Sequence, residues 1–260
     1  MFDTIILGLI QGIAEFLPIS SSGHVLIAEY VLNLQNNRGF DAAIHLATCL
    51  AALIYFNKDI INILKSLIHW GDKSLSQHKQ NGIYVIIATI PAILLGFITK
   101  KLNIDELFDT PLLIGISSIF FAVLLYLTYK YSTGQKNLNW INSILIGASQ
   151  IIAAIFPGAS RSGITLTTAL AFNIEKETAA KFVFLISIPI TALAALNEII
   201  IERTVAMDLQ FLIAFITAFI SGLFAIHFLL YFIKNRSLEW IIGYRILFGI
   251  FSIIISMIYL

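Results

Sequence analysis

Long apolar segments dominate this chain of 260 residues. A membrane-spanning helix needs about 20 apolar residues. Six stretches approach or exceed that length, at 40–57, 82–100, 111–130, 179–200, 209–233 and 240–259. Hydrophobic residues make up 58% of the chain and charged residues 12%, with a mean hydropathy of +0.90. These values predict an all-α polytopic membrane protein with six transmembrane helices in a single membrane domain, 1–260. They exclude a soluble domain with one apolar helix.

Four shorter apolar runs form two pairs, and a cluster of proline, serine and glycine breaks each pair. The runs lie at 2–17, 24–34, 142–156 and 164–172. Most are too short to span a bilayer, so each pair predicts a re-entrant helical hairpin with a buried tip. Non-helical backbone at membrane depth is tolerated only where protein or water satisfies its polar groups. We therefore expect the tips to line a cavity, and we expect that cavity to bind a ligand.

The two halves of the chain share a pattern of glycine, glutamine and proline. The residues are Gly8, Gln11 and Pro18 in one half and Gly147, Gln150 and Pro157 in the other. All three pairs are 139 residues apart. Each half then contains one hairpin and three spans, and an odd number of crossings inverts the second half. We therefore expect inverted repeats at approximately 1–130 and 140–260, with both tips near the bilayer midplane.

Basic residues predict the orientation of this topology. With the N-terminus outside, ten are cytoplasmic: Lys58, Lys65, Lys73, Lys79, Lys130, Lys136, Lys176, Lys181, Lys234 and Arg236. Four are outside, Arg38, Lys100, Lys101 and Arg203, partly offset by Asp105, Glu106, Asp109, Glu202 and Asp208. The positive-inside rule then places both termini outside. The amphipathic segment Asp59–Trp70 is expected along the cytoplasmic surface.

Ionisable side chains lie inside both interruptions. A charge at the bilayer centre costs roughly 2.5–3.5 kcal/mol, so Glu15 and Arg161 predict a functional site. Gln11 and Glu15 are four residues apart and share a helix face, and Pro18 ends that helix. After Pro18, the serines of the turn Ser20–Gly23 can cap the next helix, and in the second hairpin Ser160–Gly163 precedes the next helix. Two helix N-termini with an arginine between them favour an anion, and phosphate fits best.

Several chemical roles are open for these residues. Glu15 and Gln11 could hold Mg²⁺ or Ca²⁺ against phosphate oxygens. Glu15 could instead be a general base, or a structural ion-pair partner of Arg161. His24, Ser21 or Ser160 could supply a nucleophile or a general acid. Clusters of serine and glycine are also common where membrane helices pack closely.

Other polar residues of the spans are expected to have structural roles. His45 and His227 are predicted to be packed or hydrogen-bonded. Arg245 lies six residues into the last span and is expected to extend to the cytoplasmic face. Its neighbour Tyr244 is a weaker candidate for the cavity wall. Cys49 is the single cysteine, and it is predicted to be a packed thiol.

The two interruptions resemble the signatures of the undecaprenyl pyrophosphate phosphatase family, which is associated with bacitracin resistance. Segments Glu15–His24 and Pro157–Thr165 match them in composition, order and separation, and the later run Ala180–Pro189 also fits. The resemblance covers the whole chain. The family has Glu or Gln at the position of Gln11, and the Gln here leaves Glu15 as the one carboxylate.

The resemblance implies hydrolysis of undecaprenyl diphosphate to undecaprenyl phosphate and inorganic phosphate. That reaction recycles the lipid carrier of bacterial cell-wall peptidoglycan synthesis and confers bacitracin resistance. It also implies Mg²⁺ or Ca²⁺ as cofactor and action from the outer face of the cytoplasmic membrane. The implied site positions are Ser21, His24, Ser160, Arg161 and Thr165, with Ser20, Ser22 and Ser162 as further substrate contacts.

The resulting hypothesis is that Arg161 and the helix N-termini hold the diphosphate, Glu15 and Gln11 hold the metal, and His24 or Ser21 attacks or protonates. A secondary transporter or lipid translocase with an anion site at the midplane is the alternative, because broken inverted repeats describe transporters equally well. Expected partners are the prenyl diphosphate and membrane lipids. The net charge of +1 gives no basis for nucleic acid binding. A homodimer stays open.

Overall fold

The computed structural model is helical throughout nearly all of the residues it describes, which are 2–32, 38–69, 72–102, 108–202 and 208–259. Within these ranges the helices are α1 (Phe2–Phe16), α2 (Ser21–Leu32), α3 (Arg38–Tyr55), α4 (Asn57–Ile68), α5 (Ser76–Lys101), α6 (Pro111–Tyr131), α7 (Trp140–Ala148), α8 (Gln150–Ile155), α9 (Arg161–Ala171), α10 (Lys176–Glu202), α11 (Leu209–Asn235) and α12 (Glu239–Tyr259). The predicted all-helical membrane fold is confirmed.

Five of these helices are long and apolar enough to cross a membrane, counted over the described residues: α5, α6, α10, α11 and α12. The first predicted span differs, because α3 reaches this length only together with α4, and the chain bends by 75° between them. Phe56 has non-helical backbone angles at the bend. The separate helix expected over Asp59–Trp70 is therefore α4, and Trp70 lies outside the described residues.

Helices of the first half have counterparts in the second half: α1 corresponds to α7, α3 to α10, α5 to α11 and α6 to α12. The helix contacts keep the same pattern when these counterparts are exchanged. Helix α1 packs on α11, and its counterpart α7 packs on α5. Likewise α3 packs on α11 while α10 packs on α5, and α3–α10 and α6–α12 are each contacts between counterparts. Two related halves would produce this pattern. Their inversion across a bilayer stays a prediction.

Glycine permits the closest of these contacts. A side-chain carbon at Gly12 of α1 would overlap the carbonyl oxygen of Ala218 in α11, and one at Gly147 of α7 would overlap that of Ala88 in α5. Small residues let membrane helices approach closely in the absence of a hydrophobic driving force between them. Each hairpin is thereby held against one long span, which fixes the position of its tip.

The four loops predicted to be cytoplasmic meet at one end of the helix bundle. Lys181 bonds Asp59 at 2.6 Å, and Lys234 lies 3.8 Å from Glu177. The backbone amide of Thr133 donates to the side chain of Asn173 at 3.1 Å. These contacts agree with the predicted topology. Of the residues on the opposite side, Asp105, Glu106 and Arg203 lie outside the described residues.

Candidate active site

Both hairpins turn at a serine with left-handed backbone, at φ 76° for Ser20 and φ 64° for Ser160. Such angles are unfavourable for residues other than glycine and persist where the surroundings enforce them. Each serine caps the helix that follows: Gly23 N donates to Ser20 Oγ, and Gly163 N donates to Ser160 Oγ, both at 3.2 Å. The serine cap predicted at the first tip is confirmed, and the second tip has an equivalent cap.

The two tips correspond with an offset that the sequence pattern did not predict. The capping serines Ser20 and Ser160 are 140 residues apart, whereas the prolines before them are 139 apart. The second tip therefore has one more residue between proline and cap. A short 3₁₀ turn, Pro157–Ala159, accommodates it.

Serine hydroxyls join the two tips reciprocally. Ser22 Oγ donates to the carbonyl of Pro157 at 3.1 Å, and Ser162 Oγ donates to the carbonyl of Leu17 at 2.9 Å. Ser20 Oγ also donates to Pro157. These bonds satisfy carbonyls that the two turns release from helical pairing, as backbone at membrane depth requires. The two helix N-termini are thus held together.

Arg245 of α12 completes this junction. It is fully buried, and its guanidinium donates to the carbonyls of Pro18 at 3.1 Å, Gly158 at 2.9 Å and Ala159. The expectation that it extends to the cytoplasmic face was wrong. Carbonyls released at the two tips need donors, and the guanidinium fork reaches both tips at once.

Glu15 and Arg161, one from each hairpin, form an ion pair with a distance of 2.5 Å between Oε1 and Nη2. The other carboxylate oxygen accepts hydrogen bonds from Gln11 Nε2 at 2.9 Å and from Ser21 Oγ at 2.7 Å. The shared face predicted for Gln11 and Glu15 is confirmed. Only 7% of the Glu15 side chain is exposed, and 20% of Arg161. Both charges are therefore compensated inside the protein, as their burial demands.

A cavity of about 270 Å³ opens at this pair, between the hairpins and helices α3, α5 and α10. Five of the residues predicted for the site line it: Glu15, Ser21, Ser22, Ser160 and Arg161. Three polar residues that the prediction missed also line it: His45, Gln150 and Thr191. His45 was expected to be packed or hydrogen-bonded, and its position at the cavity was not predicted. Its neighbours in α3 are apolar, and only the folded chain shows which residues it faces.

His24 lies elsewhere. Its Nδ1 is 2.7 Å from the Ser20 carbonyl, so this nitrogen carries the proton, and its Nε2 is 2.9 Å from the Tyr244 hydroxyl. Its ring stacks on Phe248 with 3.6 Å between ring centres. His24 and Tyr244 line a separate apolar groove of about 500 Å³ between α2 and α12. The structure therefore does not place His24 in the cavity with Glu15 and Arg161.

Three other predicted contacts use their hydroxyls within the hairpin tips. Thr165 Oγ1 donates to the carbonyl of Arg161 at 2.8 Å, and it is buried inside α9. Ser20 and Ser162 make the bonds between tips described above. These side chains support the residues that line the cavity. Their direct contact with a substrate stays a prediction.

The donor set of the cavity sets a limit on metal binding. Glu15 is the one carboxylate among its described lining residues, and the described chain contains no cluster of three His, Cys, Asp or Glu side chains with metal-ligand geometry. Mg²⁺ can be held by one or two carboxylates together with substrate phosphates. Glu15 and the Gln11 amide therefore fit a divalent cation only when phosphate oxygens supply further ligands.

Comparison with known proteins gives matches over nearly the whole chain. The family model described as "Bacitracin resistance protein BacA" matches residues 4–251. An undecaprenyl-diphosphatase of Caldicellulosiruptor bescii is 39% identical over 251 residues, which cover 94% of this chain and 93% of the relative. The undecaprenyl-diphosphatase of Moorella thermoacetica is 37% identical over 251 residues, with 95% and 94% covered. That of Korarchaeum cryptofilum is 35% identical over 255 residues, with 95% and 96% covered.

Proposed function

The chain belongs to the bacitracin resistance protein family, and on that premise we propose that it is an undecaprenyl-diphosphatase whose active site is the cavity between the hairpin tips. It hydrolyses undecaprenyl diphosphate to undecaprenyl phosphate and inorganic phosphate, which returns the lipid carrier to cell-wall synthesis and underlies bacitracin resistance. One observation carries the assignment of the site: Glu15, Ser21 and Arg161 from two hairpins meet in one cavity. Relatives named for hydrolysis do not favour the transporter alternative.

The position of the cavity along the helices supports access from the outer face of the bacterial cytoplasmic membrane. With the predicted orientation, α3 runs inward, and α5 and α10 run outward. The cavity is lined by His45, Gly96 and Ala194, which belong to the half of each helix nearer the outer end. A diphosphate on a lipid of the outer leaflet would reach this depth while its prenyl tail stays in lipid.

Arg161 binds the diphosphate in this proposal. Its planar guanidinium offers several N–H donors that match phosphate oxygens, and one of them already bonds Glu15. The N-termini of α2 and α9 meet beside it and favour negative charge. The cavity thus combines a guanidinium with two helix N-termini, which together favour one anionic group.

Ser21 is the nucleophile that the geometry favours over His24. A nucleophile needs a base within hydrogen-bond reach and a third group that orients the base. Glu15 Oε2 is 2.7 Å from Ser21 Oγ, and Gln11 holds the same oxygen at 2.9 Å. His24 has no such relation to the cavity, since both ring nitrogens are engaged by Ser20 and Tyr244.

The proposed hydrolysis has two steps. Ser21 Oγ attacks the terminal phosphorus and its proton passes to Glu15, while the bond from that phosphorus to the bridging oxygen breaks and undecaprenyl phosphate leaves. Water then attacks the phosphorus of the phosphoserine, the bond from that phosphorus to Ser21 Oγ breaks, and Glu15 returns its proton to Oγ, which restores the hydroxyl and the carboxylate and releases inorganic phosphate. Arg161 stabilises the charge on the transferred group. Bound beside Glu15 and Gln11, Mg²⁺ or Ca²⁺ would supply charge neutralisation at the phosphate oxygens.

We expect the purified protein in detergent to release inorganic phosphate from undecaprenyl diphosphate. Phosphate release should stop with EDTA and return when excess Mg²⁺ or Ca²⁺ is added, because the substrate charge is then neutralised again. Undecaprenyl phosphate serves as the control substrate and should release none. Absence of release from folded protein with added cation would contradict the proposed function. Release unaffected by EDTA would contradict only its metal.

A trapping experiment distinguishes the two nucleophiles. Protein quenched in acid after mixing with terminally labelled substrate should retain label as phosphoserine, since phosphohistidine is acid-labile. The label should disappear in Ser21→Ala, with turnover lowered about 10²- to 10⁴-fold for loss of the nucleophile–base pair. Ser22→Ala is the matched control, because Ser22 also lines the cavity but bonds Pro157 and not Glu15. Label retained in Ser21→Ala would exclude Ser21 as the nucleophile.

A further inference from the structure

Gln150 is a buried polar side chain of the cavity whose hydrogen-bonding groups are unused. It is 6% exposed and belongs to the cavity lining. Both Oε1 and Nε2 are buried without a hydrogen-bond partner in the described part of the protein. A buried amide left unpaired is strongly unfavourable. Gln150 is therefore suited to a ligand that enters the cavity.

The repeat explains why this amide is unpaired. Gln150 corresponds to Gln11, which donates to Glu15 four residues later. Four residues after Gln150 the chain has Ala154, which also lines the cavity. The second hairpin thus keeps the glutamine but has no carboxylate for it. The small side chain at Ala154 leaves space where the carboxylate would lie.

The surroundings indicate an anionic ligand. Arg161 and the two helix N-termini favour negative charge in the same cavity, and Glu15 already has three donors. A neutral N–H donor forms a stronger hydrogen bond with an anionic oxygen than with a neutral oxygen. Building on the proposed function, we propose that Gln150 is a substrate-binding residue whose Nε2 donates to a non-bridging oxygen of the diphosphate.

An uncharged donor has a kinetic advantage at this position. A second arginine would bind diphosphate and released phosphate with full charge, and product release would slow. An amide adds one directional bond and no net charge. Gln150 therefore contributes to substrate affinity and orientation, while Arg161 provides the charge.

Three proteins test this contact in steady-state phosphate release. Gln150→Leu removes the donor with little change of shape, and Gln150→Glu keeps the shape but replaces the donor with a negative charge. We expect KM to rise about 10- to 100-fold in Gln150→Leu, the range for losing a hydrogen bond to a charged group, and further in Gln150→Glu. The inhibition constant of inorganic diphosphate should rise in parallel. Gln77→Leu, at the other end of the bundle on α5, is the matched control and should leave both constants unchanged.

The outcomes separate the contact from the proposed function. Unchanged KM and inhibition constants in folded Gln150→Leu would show that the amide binds only water. Activity equal to or above that of the parent in Gln150→Glu would show that the amide oxygen is the group in use, and would overturn the assigned donor. If the parent protein hydrolyses no undecaprenyl diphosphate, the proposed function fails. Calorimetric binding of inorganic diphosphate to the parent and Gln150→Leu proteins still decides whether Gln150 contacts the anion.

Discussion

Arg161→Ala is expected to lower turnover of undecaprenyl diphosphate roughly 10²- to 10³-fold, the range for losing one positioned donor to a charged transition state. The substitution removes the guanidinium that faces the cavity and leaves the Glu15 carboxylate with only Gln11 and Ser21 as donors. Phosphate release by purified protein measures the loss, and thermal unfolding in detergent measures the accompanying change in stability.

Two variants separate catalysis from ion pairing. Arg161→Ala combined with Glu15→Gln removes the unpaired carboxylate, so stability should partly recover while turnover stays low. Arg236→Ala is the matched control, because Arg236 ends α11 at the surface, away from the cavity. Substantial turnover by well-folded Arg161→Ala protein would contradict the role assigned to this residue.

Arg245→Ala is expected to destabilise the folded protein as well as to lower its activity. The guanidinium serves the carbonyls of Pro18, Gly158 and Ala159, and each carbonyl left without a donor costs about 1–3 kcal/mol. The sum is a large part of the roughly 5–15 kcal/mol by which proteins are stable. We expect a low yield of monodisperse protein and a much lower unfolding temperature, measured by fluorescence-detected size exclusion after heating.

The control for Arg245 is a basic residue of a surface ion pair. Lys234→Ala removes a partner of Glu177 at 3.8 Å with both side chains exposed, and such pairs contribute about 0–1 kcal/mol. Its unfolding temperature should stay near that of the parent protein. Arg245→Lys keeps the charge but loses the fork, so it should fall between the two. An Arg245→Ala protein as stable as the parent would show that the tips do not depend on this residue.

The parts of the site that the sequence predicts depend either on local spacing or on a charge that would be strongly unfavourable if it were left unpaired. Gln11 and Glu15 share a face because they are one helical turn apart, and this follows from spacing alone. The pairing of Glu15 with Arg161 was one of the roles left open for Glu15, and it is observed because neither charge can stay uncompensated at membrane depth. The serine cap of the first tip follows from the preference of helix starts for hydroxyls.

The parts that were missed depend on contacts between distant segments. The sequence of α12 shows an arginine near a helix end but not the released carbonyls of the hairpins that it serves, so Arg245 was misplaced. His24 comes two residues after the last serine, but its side chain is held by Tyr244 and Phe248 of α12, and this contact between distant segments is not visible in the sequence. The extra residue at the second tip is hidden because both halves keep the same spacing up to the proline.

The reciprocal bonds between the hairpins have a consequence for biosynthesis. Glu15 and Arg161 are 146 residues apart, so a ribosome adding about 5–20 residues per second needs roughly 7–30 s to make the second after the first. During that interval the first hairpin enters the bilayer with its carboxylate served only by its own neighbours Gln11 and Ser21. The first hairpin, residues 2–32, therefore lacks the guanidinium that pairs with Glu15 until the second hairpin has been made and has joined it.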